Sequence, residues 1–302
     1  MSWRTMPRDE VAVIGAGPAG VSAAVQLRRS GVDVKLYEAD TVGGLVRNAN
    51  LVENLIGFPE GIAGPELVAR LASHLAAADV EPRYERVLSV AHDDAFLIRT
   101  DRRESQVRRL IIATGTEPVP LPTVSLSERA MERVLYEVHA LAGLQGARVA
   151  IVGGGDAAFD YGLHLARCNE VLILNRSARR RCLPLLWARA STCPALRYEG
   201  RATVRSIVAR GDGVRVGYDG VQGRRELDAD RVLVAVGRRP RLGFLDEALR
   251  GRVDGLVGSG MLYLAGDVRN GSQRQVAIAA GDGLRAAMVV RRALDEEGLC
   301  AS

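Results

Sequence analysis

Four uninterrupted apolar runs punctuate the chain, and each stops at or beside a glycine. Val11-Ala-Val-Ile14 stops at Gly15, Leu110-Ile-Ile-Ala113 at Thr114-Gly115, Val149-Ala-Ile-Val152 at Gly153, and Val232-Leu-Val-Ala-Val236 at Gly237. Short runs of this kind, without polar alternation, predict strands buried on both faces, as in a parallel sheet. Two of them lead into helical periodicity. Apolar positions at Val21, Ala24, Val25 and Leu27 predict a helix reaching Ser30, followed by a strand over 34–38. Beyond Gly153 a second helix is predicted to about Cys168, followed by a strand over 171–174. An amphipathic helix is expected over roughly 66–77. Leu262-Tyr-Leu-Ala-Gly-Asp267 reads as a short strand delivering a carboxylate, and an apolar helix is expected to run from about Gln275 to about Arg291. The first half of 41–60 is too polar for a core and reads as a covering loop.

The segments between strand and helix carry the first chemistry. In Gly15-Ala-Gly17-Pro18-Ala19-Gly20 the first glycine permits a sharp turn and the second lets backbone approach a pyrophosphate. Gly20 lets helix and strand pack closely, and the helix N-terminus offers unpaired N–H groups to phosphate. Glu38 lies 23 residues after Gly15, where a carboxylate can accept from adenosine ribose hydroxyls. The pattern returns in Gly153-Gly-Gly155-Asp156-Ala157-Ala158, with a methyl group in place of the third glycine. Here the strand ends in Asn175-Arg176, and Arg176 again lies 23 residues after the leading glycine. An acid would repel a 2′-phosphate. A neutral Asn beside Arg176 and Arg181 would welcome one through charge-assisted hydrogen bonds, so the second site is read as NADP(H)-binding. Arg179 and Arg180 are expected to be solvated. The fold expected is α/β, with two Rossmann-like units, one inserted into the other.

Composition narrows the setting. The chain has 302 residues, 47% apolar and 25% charged, which suits a soluble two-domain protein rather than a disordered or disulfide-stapled one. The most apolar stretch, 11–27, is broken by Gly15, Gly17, Pro18 and Gly20, so no membrane span is expected. Asp9 and Glu10 stand where a signal peptide carries positive charge, and a cytoplasmic setting is expected. The net charge is +5, with Lys35 the only lysine among 41 basic residues. That skew reads as codon bias, and no nucleic-acid partner is expected. The four cysteines, Cys168, Cys182, Cys193 and Cys300, form no CxxC and no zinc spacing, so no metal site is expected. His74 and His92 have no triad partners at suggestive spacing.

Taken together, Gly15 to Gly20, Gly43-Gly44-Leu45, Val52-Glu-Asn54 with Gly57-Phe-Pro59, and Ala113-Thr114-Gly115 resemble the two-domain flavoprotein disulfide reductases. So do Gly153 to Ala158, Arg176 with Arg181, Gly266-Asp267 and Arg274-Gln275-Val276. The likeness is to the low-molecular-weight, thioredoxin-reductase-like group, and it covers nearly the whole chain. It implies an FAD-binding domain in two parts, 1–121 and 241–302, around an NADPH-binding domain at 122–240. On that resemblance Asn54 lies against the flavin, although Asn54 also reads as a turn former before Gly57. Gly237 closes the inner domain, and the resemblance implies a homodimer. Asp267 suits a ribityl hydroxyl, and the N-terminal end of the following helix would stabilise charge on a reduced flavin.

One element of the group is missing. Thioredoxin reductases carry a CxxC about seventeen residues before the second glycine motif, and the slot here reads Tyr136-Glu-Val-His139. Without a thiolate, exchange through a mixed disulfide cannot proceed there. Cys182 and Cys193 would lie near the NADPH edge, away from the flavin. The departure resembles the branch containing the thioredoxin-reductase-like ferredoxin/flavodoxin–NADP reductases. That branch usually carries a C-terminal extension, whereas about ten residues are expected here after the last helix. Tyr136 and His139 are candidate catalytic groups, as a stacking group or proton relay over the flavin. The competing readings are a packed core aromatic for Tyr136 and a solvent-facing helix residue for His139. The expected function is hydride transfer from NADPH to FAD and electron delivery to ferredoxin, flavodoxin or a small-molecule acceptor. Direct action on a small molecule or low-molecular-weight disulfide, and a non-catalytic flavin-bearing subunit, are the alternatives.

Overall fold

A parallel sheet whose strands are apolar on both faces must be covered on both sides, and each half of this chain meets that demand in the same way. The computed structural model describes residues 11–121 and 124–300, the side chains of 297–300 excepted. Asp9, Glu10 and the Cys300 side chain lie outside the described residues. Two compact units are present. One comprises the chain up to Arg47 with Val52–Glu117 and the residues from Arg239 onward; the other comprises Asn48–Leu51 and Pro118–Arg238.

In the first unit five parallel strands run in the order Leu262–Leu264, Arg109–Ile112, Val11–Ile14, Val34–Glu38, Arg83–Tyr84. Val11–Ile14 lies at the centre, which explains its four fully buried positions. One face is covered by the helices Pro18–Arg29 and Val276–Cys300 through Ala19, Ala23, Leu27, Ala279, Ala287 and Val290. The other face receives Val90, Phe96, Ile98 and Val107 from an antiparallel sheet, Val87–His92, Phe96–Thr100 and Glu104–Val107.

The second unit repeats the plan, with parallel strands in the order Val134–Leu135, Arg231–Val234, Arg148–Val152, Glu170–Asn175, Leu196–Gly200. Helices Asp156–Leu165 and Pro184–Ser191 cover one face, and an antiparallel sheet of Thr203–Arg210, Gly213–Gly220 and Gly223–Ala229 covers the other. The architecture is the doubled α/β fold expected from the sequence. No helix among the described residues is long and apolar enough to cross a membrane, and no group of His, Cys, Asp and Glu there could hold a metal ion.

Two element ends differ from expectation. The helix expected to reach Cys168 stops at Leu165, because the Asn169 amide donates to Leu165 O at 3.0 Å and satisfies a terminal carbonyl. Cys168 is consequently exposed and does not pack as a small hydrophobe. The last helix continues from Val276 to Cys300, past the expected end near Arg291. Its final turns are supported by Arg291–Asp295 and Arg292–Glu296 pairs at four-residue spacing, which favour continued helix.

Candidate functional site

The turn that ends the central strand of the first unit is tied at both sides. Gly15 N–H donates to Tyr37 O at 2.7 Å and Ala113 N–H to Ile14 O at 2.8 Å. Gly15 has φ +101°, and a Cβ there would meet Ala113 O at 2.4 Å, so glycine is required twice over. A Cβ on Gly17, by contrast, would meet nothing within 4 Å. Gly17 is also the N-cap of Pro18–Arg29 and provides no side-chain cap. The first-turn N–H groups therefore face open space beside a bare backbone, which fits a pyrophosphate. Gly44 approaches from a turn at Gly44–Asn48, with its Cβ position 3.4 Å from the Gly17 Cα, and Leu45 is half-buried beside it.

The acid at the end of the next strand faces the same turn. Glu38 Oε2 accepts from Ala16 N–H at 2.8 Å and Oε1 from Asp40 N–H at 2.9 Å. A carboxylate has about four acceptor sites, so two remain for ribose hydroxyls. Further along, Thr114 Oγ1 donates to Arg241 O at 2.7 Å, and Gly115 turns with φ +62°. Gly266 and Asp267 lie in a single helical turn, Gly266–Val268, directly after the strand Leu262–Leu264. The structure also brings Asn54 and Gln275 together: Asn54 Nδ2 donates to Gln275 Oε1 at 2.8 Å although 221 residues separate them. Arg274 and Val276 flank that contact at the start of the last helix, both half-buried.

The second unit reproduces the turn. Gly153 N–H donates to Leu174 O at 3.0 Å, Ala235 N–H donates to Val152 O at 2.8 Å, and a Cβ on Gly153 would meet Ala235 O at 2.4 Å. Gly155 is the uncapped N-cap of Asp156–Leu165, with nothing within 4 Å of its Cβ position. Asp156 and Ala157 are exposed on the first turn, and Asp156 Oδ1 accepts from Leu183 N–H at 2.7 Å, fixing the loop that carries the arginines. Gly237, with φ +132°, accepts through its carbonyl from Val119 N–H at 3.0 Å.

The hydrogen bonds also correct the count of 23 residues. Gly15 bonds to Tyr37 and Gly153 to Leu174, so the structural counterpart of Glu38 is Asn175, and Arg176 is one step further out. The second helix–strand connection is one residue shorter, which a count from the leading glycine cannot register. Asn175 is buried at 6% exposure and fully engaged: its amide donates to Arg179 O and Tyr198 OH, and its oxygen accepts from Ser177 N–H. It shapes the loop. Arg176 and Arg181 are exposed and have no ion pair among the described residues, while Arg181 N–H donates to Gly154 O at 2.7 Å. Arg180 is not simply solvated; its guanidinium lies over the Trp187 ring, 4.2 Å from the centroid.

At the expected dithiol slot the residues take different paths. Tyr136 packs against the core of the second unit. His139 is half-buried, rather than solvent-facing, in the turn Val138–Leu141. Glu137, which sequence reasoning passed over, accepts from Arg238 Nη1 at 2.8 Å and from the Asn48 amide. Its partners lie 101 and 89 positions away, so no local signal marks it. Cys182 and Cys193 are half-buried against the aromatic side of the core, and burial pushes the Cys182 thiol up.

Two dinucleotide cradles on two parallel sheets define a nucleotide-dependent oxidoreductase of the two-coenzyme kind. The chain belongs to the pyridine nucleotide-disulphide oxidoreductase family, whose model matches residues 9–283. It is 30% identical to the thioredoxin reductase of Bacillus subtilis over 95% of each chain. The solved thioredoxin reductase of T. acidophilum is 30% identical with a TM-score of 0.83, covering 94% of this chain and 99% of its own. That of Lactococcus lactis, in its FR conformation, is 28% identical with a TM-score of 0.82, covering 95% and 99%. The protein is thus a thioredoxin-reductase-like, flavin-dependent oxidoreductase of a family that uses FAD and NADPH.

Proposed function

We propose that this protein is an NADPH:FAD oxidoreductase that works without a dithiol and passes electrons to an external acceptor such as ferredoxin or flavodoxin. The observation that carries this reading is the Tyr136-Glu-Val-His139 slot, where Glu137 is committed to Arg238 and Asn48. Burial also pushes the Cys182 thiol up, the opposite direction from what an exchanging thiol needs. The first unit would hold FAD, with Gly15 to Gly20 at the pyrophosphate, Glu38 at the ribose, Asp267 at the ribityl chain, and Asn54 with Gln275 against the ring system. The second would hold NADPH, with Gly155 and the following N–H groups at the pyrophosphate and Arg176 and Arg181 at the 2′-phosphate. Bound together, the two coenzymes would supply hydride transfer from nicotinamide to flavin and electron release singly or in pairs. The chain's own contribution is to hold both ends by fixed backbone donors and to place charge where each phosphate lies. The net charge of +5 would steer an acidic protein partner. A cytoplasmic homodimer accords with this reading.

The test is an acceptor screen on purified protein after rapid mixing with NADPH. Bleaching of bound FAD is expected, with electrons reaching cytochrome c through ferredoxin or flavodoxin and not reaching thioredoxin. Replacing Cys168, Cys182, Cys193 and Cys300 with Ser should leave the bleaching rate unchanged. Loss of bleaching in the fully flavinylated quadruple variant would overturn the dithiol-free reading. A disulfide as the only acceptor would instead favour action on a low-molecular-weight disulfide. Absence of any bleaching would favour a non-catalytic flavin-bearing subunit.

A further inference from the structure

The polar cluster that fills the dithiol slot has a specific chemical shape. Asn48 is 3% exposed, and its carboxamide is held at both ends. The Nδ2 group donates to Glu137 Oε2. The Oδ1 atom accepts from His139 N–H at 3.1 Å and lies 3.0 Å from His139 Nδ1. Because Oδ1 can only accept, that ring nitrogen carries the proton. Arg238 Nη1 donates to the other Glu137 oxygen at 2.8 Å and orients the carboxylate. One acceptor faces the amide nitrogen and two donors face the amide oxygen: together these three groups form a receptor for a primary carboxamide.

Its place on the sheet is equally specific. Ligands of open parallel sheets lie along the carboxyl ends of the strands. Along that edge of the second unit the order of strands is Val134–Leu135, Arg231–Val234, Arg148–Val152, Glu170–Asn175. Arg176 follows the last of these, and the Gly153–Gly155 turn follows Arg148–Val152. Arg238 and Glu137 follow the remaining two. A dinucleotide with its 2′-phosphate at Arg176 and its pyrophosphate at Gly155 therefore extends its other half toward Arg238 and Glu137. Two strand spacings, about 10 Å, separate the glycine turn from the first strand of that order. The group at that end of NADP(H) is a carboxamide.

We infer that Glu137 and His139, oriented by Arg238, recognise the nicotinamide carboxamide, and that the Asn48 side chain competes with the coenzyme for this receptor. The inference rests on the NADPH reading of the second unit and adds an internal competitor to it. Glu137 and His139 are binding residues, and Arg238 is a positioning residue.

The experiment is equilibrium titration of the FAD-loaded protein with three probes: 2′,5′-ADP, NADP⁺, and the 3-acetylpyridine analogue of NADP⁺. The analogue carries a methyl group in place of the amide NH₂. The parent protein should bind NADP⁺ at least about tenfold more tightly than the analogue, the size expected for one hydrogen bond to a charged acceptor. Glu137→Gln should remove most of that preference and leave 2′,5′-ADP binding unchanged, which also shows that the variant is folded. Asn48→Ala should tighten NADP⁺ severalfold without altering 2′,5′-ADP. Equal affinity of the parent for NADP⁺ and its analogue overturns the receptor. An Asn48→Ala variant with unaltered NADP⁺ affinity overturns the competition. Failure of 2′,5′-ADP to bind the parent would overturn the underlying NADPH reading as well.

Discussion

In both units a Cβ added to the leading glycine would stand 2.4 Å from the carbonyl oxygen of a strand-ending alanine, Ala113 in one and Ala235 in the other. Past that shared turn the two cradles diverge. A Cβ on Gly20 would lie 1.7 Å from Gly15 O, and one on Gly283, in the last helix, 1.9 Å from Ala19 O. The first unit therefore closes its turn by backbone-to-backbone contact of two helices and a strand. The second places Ala158, with a real methyl group at 0% exposure, at the position equivalent to Gly20. Its tightest helical glycine, Gly162, faces the movable side-chain ends of Leu196 and Ile173 at 2.9 and 3.1 Å. The same motif can thus be built with a rigid backing or a compliant one, and only the rigid one forbids a methyl group.

The largest expected effect tests that contrast. Gly20→Ala forces a clash that only a backbone shift can relieve, costing about 3 kcal/mol or more. It should yield protein with little bound FAD and a depressed melting temperature, read from the ratio of flavin to protein absorbance. The reciprocal change, Ala158→Gly, should cost about 1 kcal/mol through added chain entropy and leave FAD content intact. Normal flavin content in Gly20→Ala would show that the first cradle is as compliant as the second.

A smaller effect separates the cradles by charge. At equivalent places the first unit presents the Glu38 carboxylate, hydrogen-bonded to its own turn, and the second presents the buried, neutral Asn175 with Arg176 and Arg181 exposed nearby. If Arg176 and Arg181 hold the 2′-phosphate as proposed, losing both removes two charge-assisted contacts, each worth about tenfold in affinity. Arg176→Ala with Arg181→Ala should raise the NADPH KM by about 30- to 100-fold and leave the NADH KM within about twofold. Equal rises for both coenzymes would remove the 2′-phosphate assignment. Arg180→Ala should do less, because its guanidinium is engaged over Trp187.

These contrasts bear on what the chain discloses before folding. The parallel strands were legible because both faces are buried and the runs are continuously apolar. The glycine turns were legible because their leading glycines, Gly15 and Gly153, answer a local steric demand. Positions that depend on a distant partner were not. The end of the helix at Leu165 is set by Asn169 through a side-chain bond, and the extension to Cys300 is supported by ion pairs at four-residue spacing. The equivalence of Asn175 with Glu38 depends on one residue fewer in a connection. Glu137 was passed over because its meaning lies in Arg238 and Asn48, and neither is a neighbour in sequence. Sequence spacing located the two glycine turns and was silent about the polar groups assembled from three separate segments.

The smallest expected effect compares how the units respond to acid. In the first, both ring nitrogens of His92 are enclosed without a hydrogen-bond partner, and the ring packs 4.4 Å from that of Phe96. Burial lowers its pKa below the ordinary 6.5, and Arg252 adds to this, while Asp93 and Asp94 oppose it. In the second unit His164 has one enclosed nitrogen, and burial with Arg167 lowers its pKa too. A depressed histidine contributes stability above its unfolded pKa, and that contribution declines as pH falls toward the folded value, since the unfolded chain takes up the proton first. Both units should therefore lose stability between about pH 7 and about pH 5, the first through His92 and the second through His164. Urea unfolding read by flavin release for the first unit, and by Trp187 in a Trp3→Phe background for the second, separates the two. His92→Phe should flatten the pH dependence of flavin release. If the parent and His92→Phe curves keep a constant spacing across that range, the enclosed imidazole is not what makes the first unit acid-sensitive.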